Sequence, residues 1–370
     1  MDERVARRRA AKAACERILS GVREVRAAER LAALVATGYD EPPDAYGDGG
    51  AVTALEDRVA GLLGTPAAVF FPTGTMAQQA ALRCWAEAAG NPTVAMHPLA
   101  HPEVHERHAY AVLTGLRAVF PTREPRQPTA DEVRGLDEPF GTLLLELPLR
   151  EAGYLLPTWD ELTALVAAAR DRGARVHLDG ARLWESTPYL GHGLAAAAGL
   201  ADSVYVSFYK TLAGISGAAL AGPSAFVAQA RAWRHRYGGN LYQQWPAALA
   251  ALVGLDTVLP RLPGYVRHAR TVAAALARVP GARVHPDPPH THQFPVVAAV
   301  PGAGTRGGGA AVRRVGAHLA RRRLDRTRAR VRDDRDHGCR AGPVLHRGRC
   351  RHRGRALRQR RQRSVRSSAS

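Results

Sequence analysis

Among the fifty-two basic side chains of the 370-residue chain only two are lysines, Lys12 and Lys210. Lys210 ends the apolar run Val204-Tyr-Val-Ser-Phe-Tyr-Lys210, and the small residues Thr211-Leu-Ala-Gly-Ile-Ser-Gly-Ala-Ala-Leu-Ala-Gly222 follow it. An arginine keeps its proton near neutral pH, whereas a partly desolvated lysine sheds it, and a free amine can form a Schiff base with an aldehyde. The plainer alternative is a lysine at a strand end with its ammonium in water. Upstream, Val176-His-Leu-Asp-Gly-Ala-Arg-Leu-Trp-Glu185 reads as a second buried strand with Asp179 at its C-terminal end. Ligands of open α/β sheets sit at the carboxyl ends of strands, so an Asp and a Lys at two such ends can share one ligand. An aldehyde whose ring nitrogen is protonated suits both, its carbonyl meeting Lys210 and its ring nitrogen Asp179. Pyridoxal 5'-phosphate has that chemistry.

Such a pair has to be held by a sheet, and the flanking pattern predicts one. Apolar residues at Val52, Leu55, Val59, Leu62 and Leu63 have a helical period, and Ala67-Ala-Val-Phe-Phe71 reads as a short buried strand. Pro72-Thr-Gly-Thr-Met-Ala-Gln-Gln-Ala-Ala-Leu82 then leads through a glycine turn into a helix. Free N–H groups at such a junction make Gly74 and Thr75 candidates to hold a phosphate, with simple helix capping as the alternative. Further strands are expected over Leu116–Phe120 and Gly141–Leu147. A helix from Thr158 to Arg172 opens on a capping box formed by Thr158 and Glu161. This β-α-β alternation predicts an α/β fold with a mostly parallel sheet between helices. Helices are also expected over Pro223–Arg236, Pro246–Leu259 and Tyr265–Val279, and strands over Ala282–Pro286 and Phe294–Val300.

His97, His101, His105 and His108 crowd into twelve positions. The spacing of His101 and His105 suits a metal pair on one helix face, but Pro98 and Pro102 interrupt the segment and no further ligand set stands out, so no metal is expected. Surface or capping roles, or a flat imidazole stacked on a cofactor ring, are the other readings.

Charge is distributed unevenly. Residues 302–370 hold 22 Arg, 4 Asp and no Lys, Phe, Trp, Tyr, Ile or Met, which accounts for +18 of the chain's +19. So few large apolar residues cannot offset the entropy of ordering, so the segment reads as a disordered Arg-rich tail or as the product of a shifted reading frame in a GC-rich gene. The tail reading would allow a nucleic-acid partner with salt-sensitive binding. The four cysteines, Cys15, Cys84, Cys339 and Cys350, have neither zinc-site nor disulfide-framework spacing. With no apolar leader and no run of membrane-span length, a soluble cytoplasmic protein is expected.

In chain order, these features resemble the threonine aldolase and β-eliminating lyase family of fold-type-I pyridoxal phosphate enzymes, over about residues 46–300. Tyr46-Gly-Asp48 is similar to that family's early loop and Pro72-Thr-Gly-Thr-Met-Ala-Gln78 to its phosphate turn, which implies phosphate contacts for Gly74 and Thr75. His101 falls where the family stacks a histidine on the cofactor, Glu106 also matches, and His105 replaces an aromatic residue. His177-Leu-Asp-Gly-Ala-Arg182 is the most specific match. It implies that Asp179 pairs with the pyridinium and that Arg182 grips the substrate carboxylate. Ser207-Phe-Tyr-Lys-Thr-Leu-Ala-Gly214 resembles the Schiff-base segment, with Lys210 as the Schiff-base lysine and Ser207 near the phosphate.

The resemblance implies an aspartate aminotransferase-type large domain over 46–255 after a helical segment 1–45. The start of a small α+β domain over 256–301 and the tail 302–370 complete the chain. It further implies a homodimer or homotetramer acting on an amino acid, most simply by cleaving a β-hydroxy amino acid to glycine and an aldehyde. Lys210, His101 and Asp179 would be the catalytic residues. There are three departures. Leu147-Pro-Leu-Arg150 stands where the aldolases have Asn-Thr-His after the strand glutamate, which leaves β-elimination and racemisation open. The family's Ser-Asp-Thr segment is not recognisable in 1–45. A second carboxylate-binding arginine would lie beyond residue 301.

Overall fold

Seven strands alternate with helices to form one sheet in the computed structural model, which describes residues 25–298 continuously together with residues 3, 6, 7, 10 and 14. The strands are β1 (Ala67–Phe71), β2 (Thr93–Ala95), β3 (Arg117–Val119), β4 (Thr142–Glu146), β5 (Arg175–Gly180), β6 (Ser203–Ser207) and β7 (Ala218–Gly222). Their spatial order is β1-β7-β6-β5-β4-β2-β3. All neighbours run parallel except β7, which is antiparallel to both β1 and β6. The α/β expectation of a mostly parallel sheet between helices therefore holds, with one difference. The sequence reads as a single strand trailing into small residues after Lys210, whereas two strands flank a turn that carries the lysine. Ala218-Ala-Leu-Ala-Gly222 has little intrinsic strand preference and is a strand because it is buried between two partners.

Principal helices are α1 (Ala27–Val35), α2 (Gly50–Leu63), α3 (Gly74–Ala89), the single turn α4 (His101–Val104), α5 (Trp159–Asp171), α6 (Ser224–Arg236), α7 (Trp245–Thr257) and α8 (Leu262–Ala277). Each starts and stops for local reasons. Thr158 caps α5 with the reciprocal Glu161 bonds of a capping box, a feature worth about 1 kcal/mol. Left-handed glycines Gly64 and Gly90 end α2 and α3. Of the N-terminal helical segment, α1 packs Leu34 against the core and donates from Arg30 to the Ala213 carbonyl, but buries no residue fully.

Alternation along the strands sorts the two faces. Leu143, Leu145, Val176, Leu178, Val204 and Val206 point into the larger apolar cluster with α2 and α5. The opposite face, under α3, is polar along its centre, where His177, Asp179, Ser203, Tyr205 and Ser207 are all buried. Buried polar groups need partners. His177 lies between Ser203 Oγ at 2.7 Å and Gln78 Oε1 at 3.0 Å, and the Trp85 indole donates to Ser203 Oγ at 2.7 Å. Burial pushes the His177 pKa down to about 3, so this imidazole is neutral and structural.

Beyond the sheet, α7, a short turn at Leu259–Arg261 and α8 lead to the antiparallel pair β8 (Ala282–Val284) and β9 (Val296–Ala298). Contrary to the sequence expectation, Trp245–Ala277 is long and apolar enough to qualify as a membrane span by length and composition. Its apolar side is used within the protein, with Ala248, Leu249, Ala251, Leu255, Leu262 and Val266 buried. Residues 302–370, expected to be a tail, lie outside the described residues, as do most of residues 1–24.

Candidate active site

At the carboxyl edge of the sheet, strand register sets three polar residues in a row. Glu146 is paired with Asp179 across β4 and β5, and Asp179 with Tyr205 across β5 and β6. Both carboxylates are buried, 5% exposed for Glu146 and 1% for Asp179, so two acids share a dry floor. Burial first, then the charge of Asp179, pushes the Glu146 pKa up to about 8, toward the protonated form. Its oxygens accept from the backbone N–H of His101 at 2.8 Å and, weakly, of Arg150 at 3.4 Å. One Asp179 oxygen accepts from the Ala181 N–H at 3.1 Å.

Lys210 sits in the turn between β6 and β7. That turn is pinned by Phe208 N–H donating to the Gly217 carbonyl at 3.2 Å, by Gly214 N–H donating to the Phe208 carbonyl at 3.0 Å and by the Trp184 indole donating to the Ser207 carbonyl at 3.0 Å. At Gly217, φ is +94° and an added Cβ would come within 2.4 Å of the Phe70 ring, so only glycine fits. Desolvation pulls the Lys210 pKa down, with Arg182 and Arg150 adding to the effect, while Asp179 and Glu146 oppose it. Partial burial among arginines is the environment in which an amine is freed of its proton.

Arg182 follows β5 and directs its Nε to Gln293 Oε1 at 3.0 Å, and its guanidinium lies over the Tyr154 ring at 5.4 Å. Its two terminal nitrogens have no hydrogen-bond partner among the described residues and are available to a carboxylate. Glu185, one turn on, is fully buried and pushed up to about 7 by desolvation, its Oε2 accepting from the Thr211 hydroxyl beside Lys210.

The glycine turn after β1 becomes the first turn of α3. Thr73 is its N-cap, accepting from Met76 N–H at 3.2 Å, and Gly74 and Thr75 are its first two residues, with Thr75 exposed. A Cβ at Gly74 would lie 2.1 Å from the Tyr205 hydroxyl, so the absent side chain is what lets the phenol reach the helix start. Ser207 is fully buried, and its hydroxyl makes no hydrogen bond of good geometry although the Tyr205 phenol interacts with it. An unpartnered buried hydroxyl and the free N–H groups of a helix start are donors of the kind a phosphate monoester takes. The residues therefore fit pyridoxal phosphate at both ends, an amine and a buried acid for the ring and this corner for the phosphate.

A wall of two histidines closes the other side. His101 Nδ1 meets Glu106 Oε1 at 3.0 Å, and Gln79 holds the other Glu106 oxygen at 2.9 Å. His105 Nε2 meets Glu151 Oε1 at 2.8 Å, and the two imidazole centroids are 5.2 Å apart. Each histidine thus takes its own carboxylate. His97, by contrast, is used in a local turn, accepting from the Leu99 N–H and contacting the Glu124 carbonyl. The predicted set of Lys210, Asp179, Arg182 and Ser207 converges on the carboxyl edge of β4 to β6, with Gly74 reaching it through Tyr205. His101 is tied to the same edge through its N–H bond to Glu146. Sequence reasoning passed over Glu146, Glu151, Tyr205 and Glu185 as site residues.

Residues 27–299 match the family described as beta-eliminating lyase. The chain belongs to that family. It is 31% identical over 225 residues to the low specificity L-threonine aldolase of Escherichia coli O157:H7, a match covering 59% of this chain and 67% of that protein. Two crystal structures superpose with a TM-score of 0.73. One is a candidate L-allo-threonine aldolase of Listeria monocytogenes EGD-E, 37% identical over 75% of this chain and 78% of its own. The other is a candidate aromatic amino acid β-eliminating lyase/threonine aldolase of Exiguobacterium sp. 255-15, 40% identical over 76% and 79%.

Proposed function

We propose that this member of the beta-eliminating lyase family is a pyridoxal-phosphate-dependent lyase that cleaves β-hydroxy amino acids of the threonine type to glycine and an aldehyde. The observation that carries the reading is the placing of a partly buried Lys210 within reach of the charges of the buried Asp179 and of Arg182 at the carboxyl edge of the sheet. The threonine aldolase relatives support the substrate class.

Lys210 would supply the amine that holds the cofactor carbonyl, and its free amine would move a proton at the substrate α-carbon. Asp179 is the buried carboxylate that would sit opposite the ring nitrogen, beside a Glu146 whose carboxyl burial pushes toward its protonated form. When bound, pyridoxal phosphate supplies an electron sink for the bond broken at the α-carbon. Arg182 takes the substrate carboxylate in its free fork, Gln293 fixing the guanidinium from behind. His101, braced by Glu106, forms the wall against the ring, and Gly74, Thr75 and Ser207 form the phosphate corner.

In the domain assignment that goes with this reading, residues 46–255 bind the cofactor and 256–301 begin a smaller domain. The working form is a homodimer or homotetramer of a soluble cytoplasmic enzyme. Tyr46, Leu241 and Tyr242 are 55%, 48% and 63% exposed in one place, the Tyr46 and Tyr242 rings being in contact, and a second copy of the chain would cover them. No nucleic-acid role is assigned, because the Arg-rich segment lies outside the described residues.

The test is release of glycine and aldehyde from L-threonine, L-allo-threonine and phenylserine by the pyridoxal-phosphate-loaded chain. β-Elimination is the second reading, favoured by the absence of a histidine in the stretch from Leu147 to Arg150. Keto acid and ammonia from β-chloroalanine, with no aldehyde from the hydroxy amino acids, would select it.

A further inference from the structure

Aldol cleavage removes the β-hydroxyl proton as the Cα–Cβ bond breaks. Lys210 is engaged at the α-carbon, and the loop after Glu146 offers Arg150 and Glu151 but no histidine. The loop instead sends Glu151 to His105, 46 positions earlier in the chain, with Oε1 at 2.8 Å from Nε2. His105 is one helical turn from His101, with 5.2 Å between the ring centroids, and its side chain is 28% exposed, held but open to a ligand. Arg150 connects this pair to the lysine, since its charge acts on both Glu151 and Lys210.

In the tautomer that donates Nε2–H to Glu151, the ring carries its lone pair on Nδ1, which has no hydrogen-bond partner among the described residues. A carboxylate that fixes one ring nitrogen and leaves the other as the base is the arrangement of a general base. His101 is arranged differently. Its carboxylate is buried and doubly held, by the ring and by Gln79, and its backbone N–H is tied to Glu146, which suits a fixed wall.

We propose that His105, oriented by Glu151, is the base that takes the β-hydroxyl proton in the aldol cleavage. This rests on the aldolase reading above. Nδ1 accepts the hydroxyl proton, the O–H pair becomes the second bond of the aldehyde carbonyl, and the Cα–Cβ pair stays with the α-carbon. The His105 imidazolium gives that proton to the α-carbon, directly or by relay through Lys210, which completes glycine and restores the base.

The experiment pairs kinetics of the loaded enzyme with 15N imidazole shifts of the cofactor-free chain, using His105→Phe, His105→Gln, Glu151→Gln and His101→Phe. Both His105 variants should keep the visible cofactor band and lose about 100-fold or more of kcat for L-threonine cleavage, with KM changed less than about threefold. Glu151→Gln should lose about tenfold, and its His105 resonance should lose the Nε2–H preference of the wild type. His101→Phe should instead weaken cofactor binding itself. Cleavage by both His105 variants within about threefold of wild type, or an Nδ1–H tautomer in the wild-type chain, overturns the proposal. A wild type that shows the cofactor band yet releases no aldehyde from any β-hydroxy amino acid marks failure of the aldolase reading, and the proposal falls with it.

Discussion

The floor and the wall of the site use the same residue type in opposite ways. Glu146 on the floor is buried beside another acid, and desolvation drives its pKa up to about 8. Glu151 in the wall is also largely enclosed, but the hydrogen bond from His105 outweighs desolvation and holds its pKa below the ordinary carboxylate value. The floor therefore sets two acids near Lys210 and the neighbouring Arg182 and Arg150 with no side-chain ion pair to either acid among the described residues, whereas the wall is paired within itself. An unpaired floor is what an incoming cationic ring requires, and a self-paired wall keeps its geometry with or without a ligand.

That contrast breaks most strongly at Asp179. Asp179→Ala should lower kcat/KM for L-threonine by about 100- to 1,000-fold, because the proposed function gives Asp179 the place opposite the ring nitrogen. A loss under tenfold, with Glu146 ionised in compensation, would mean that the two acids are interchangeable. Arg182→Lys keeps the charge but loses the fork, and KM for the amino acid should rise about tenfold, close to 1.4 kcal/mol, with a smaller change in kcat. An unchanged KM would remove Arg182 from the carboxylate site.

Stability against pH sharpens the comparison at lower amplitude. The folded-state pKa of Glu146 is raised from its ordinary 4.5, so the folded state favours the protonated form. Its stabilising contribution is fully present below about 4.5 and is lost as pH rises through about 8. Glu146→Gln, a permanent stand-in for the neutral acid, should therefore lose less stability than wild type between pH 5 and 8, by roughly 1–3 kcal/mol in denaturant titrations. Parallel curves for the two proteins would show that Glu146 is ionised across the range. Glu151 has the opposite sign, its contribution being present above the ordinary carboxylate value and lost on acidification. Because the pair is partly open to solvent, Glu151→Gln should cost no more than about 1 kcal/mol at pH 7.

Much of this was legible in the sequence, and the parts that were not have physical causes. Lys210 and Asp179 were visible as chemically distinct residues ending apolar runs, and Thr158 with Glu161 announced the start of α5. β7 was missed because four small residues around Leu220 carry little strand signal until they are buried between β1 and β6. The polar face under α3 was written in the alternation of His177 with Asp179, and of Ser203, Tyr205 and Ser207, but treating β5 and β6 as uniformly apolar concealed it. Glu146 stood in plain view within Leu143-Leu-Leu-Glu146, yet its protonation follows from Asp179 lying opposite, which only strand register supplies. The Glu151–His105 pair joins residues 46 positions apart through a loop and a single helical turn, and no spacing rule reaches that far.

The most direct test is the visible absorption spectrum of the purified chain with added pyridoxal phosphate, recorded beside Lys210→Ala prepared identically and with circular dichroism of both samples. A protein-bound cofactor band above 400 nm, about the range of protonated Schiff bases, in the wild type and not in the variant, with matching folded spectra, is the predicted result. A folded wild type with no band, or a variant with the same band, would contradict the assignment of this floor as a pyridoxal phosphate site.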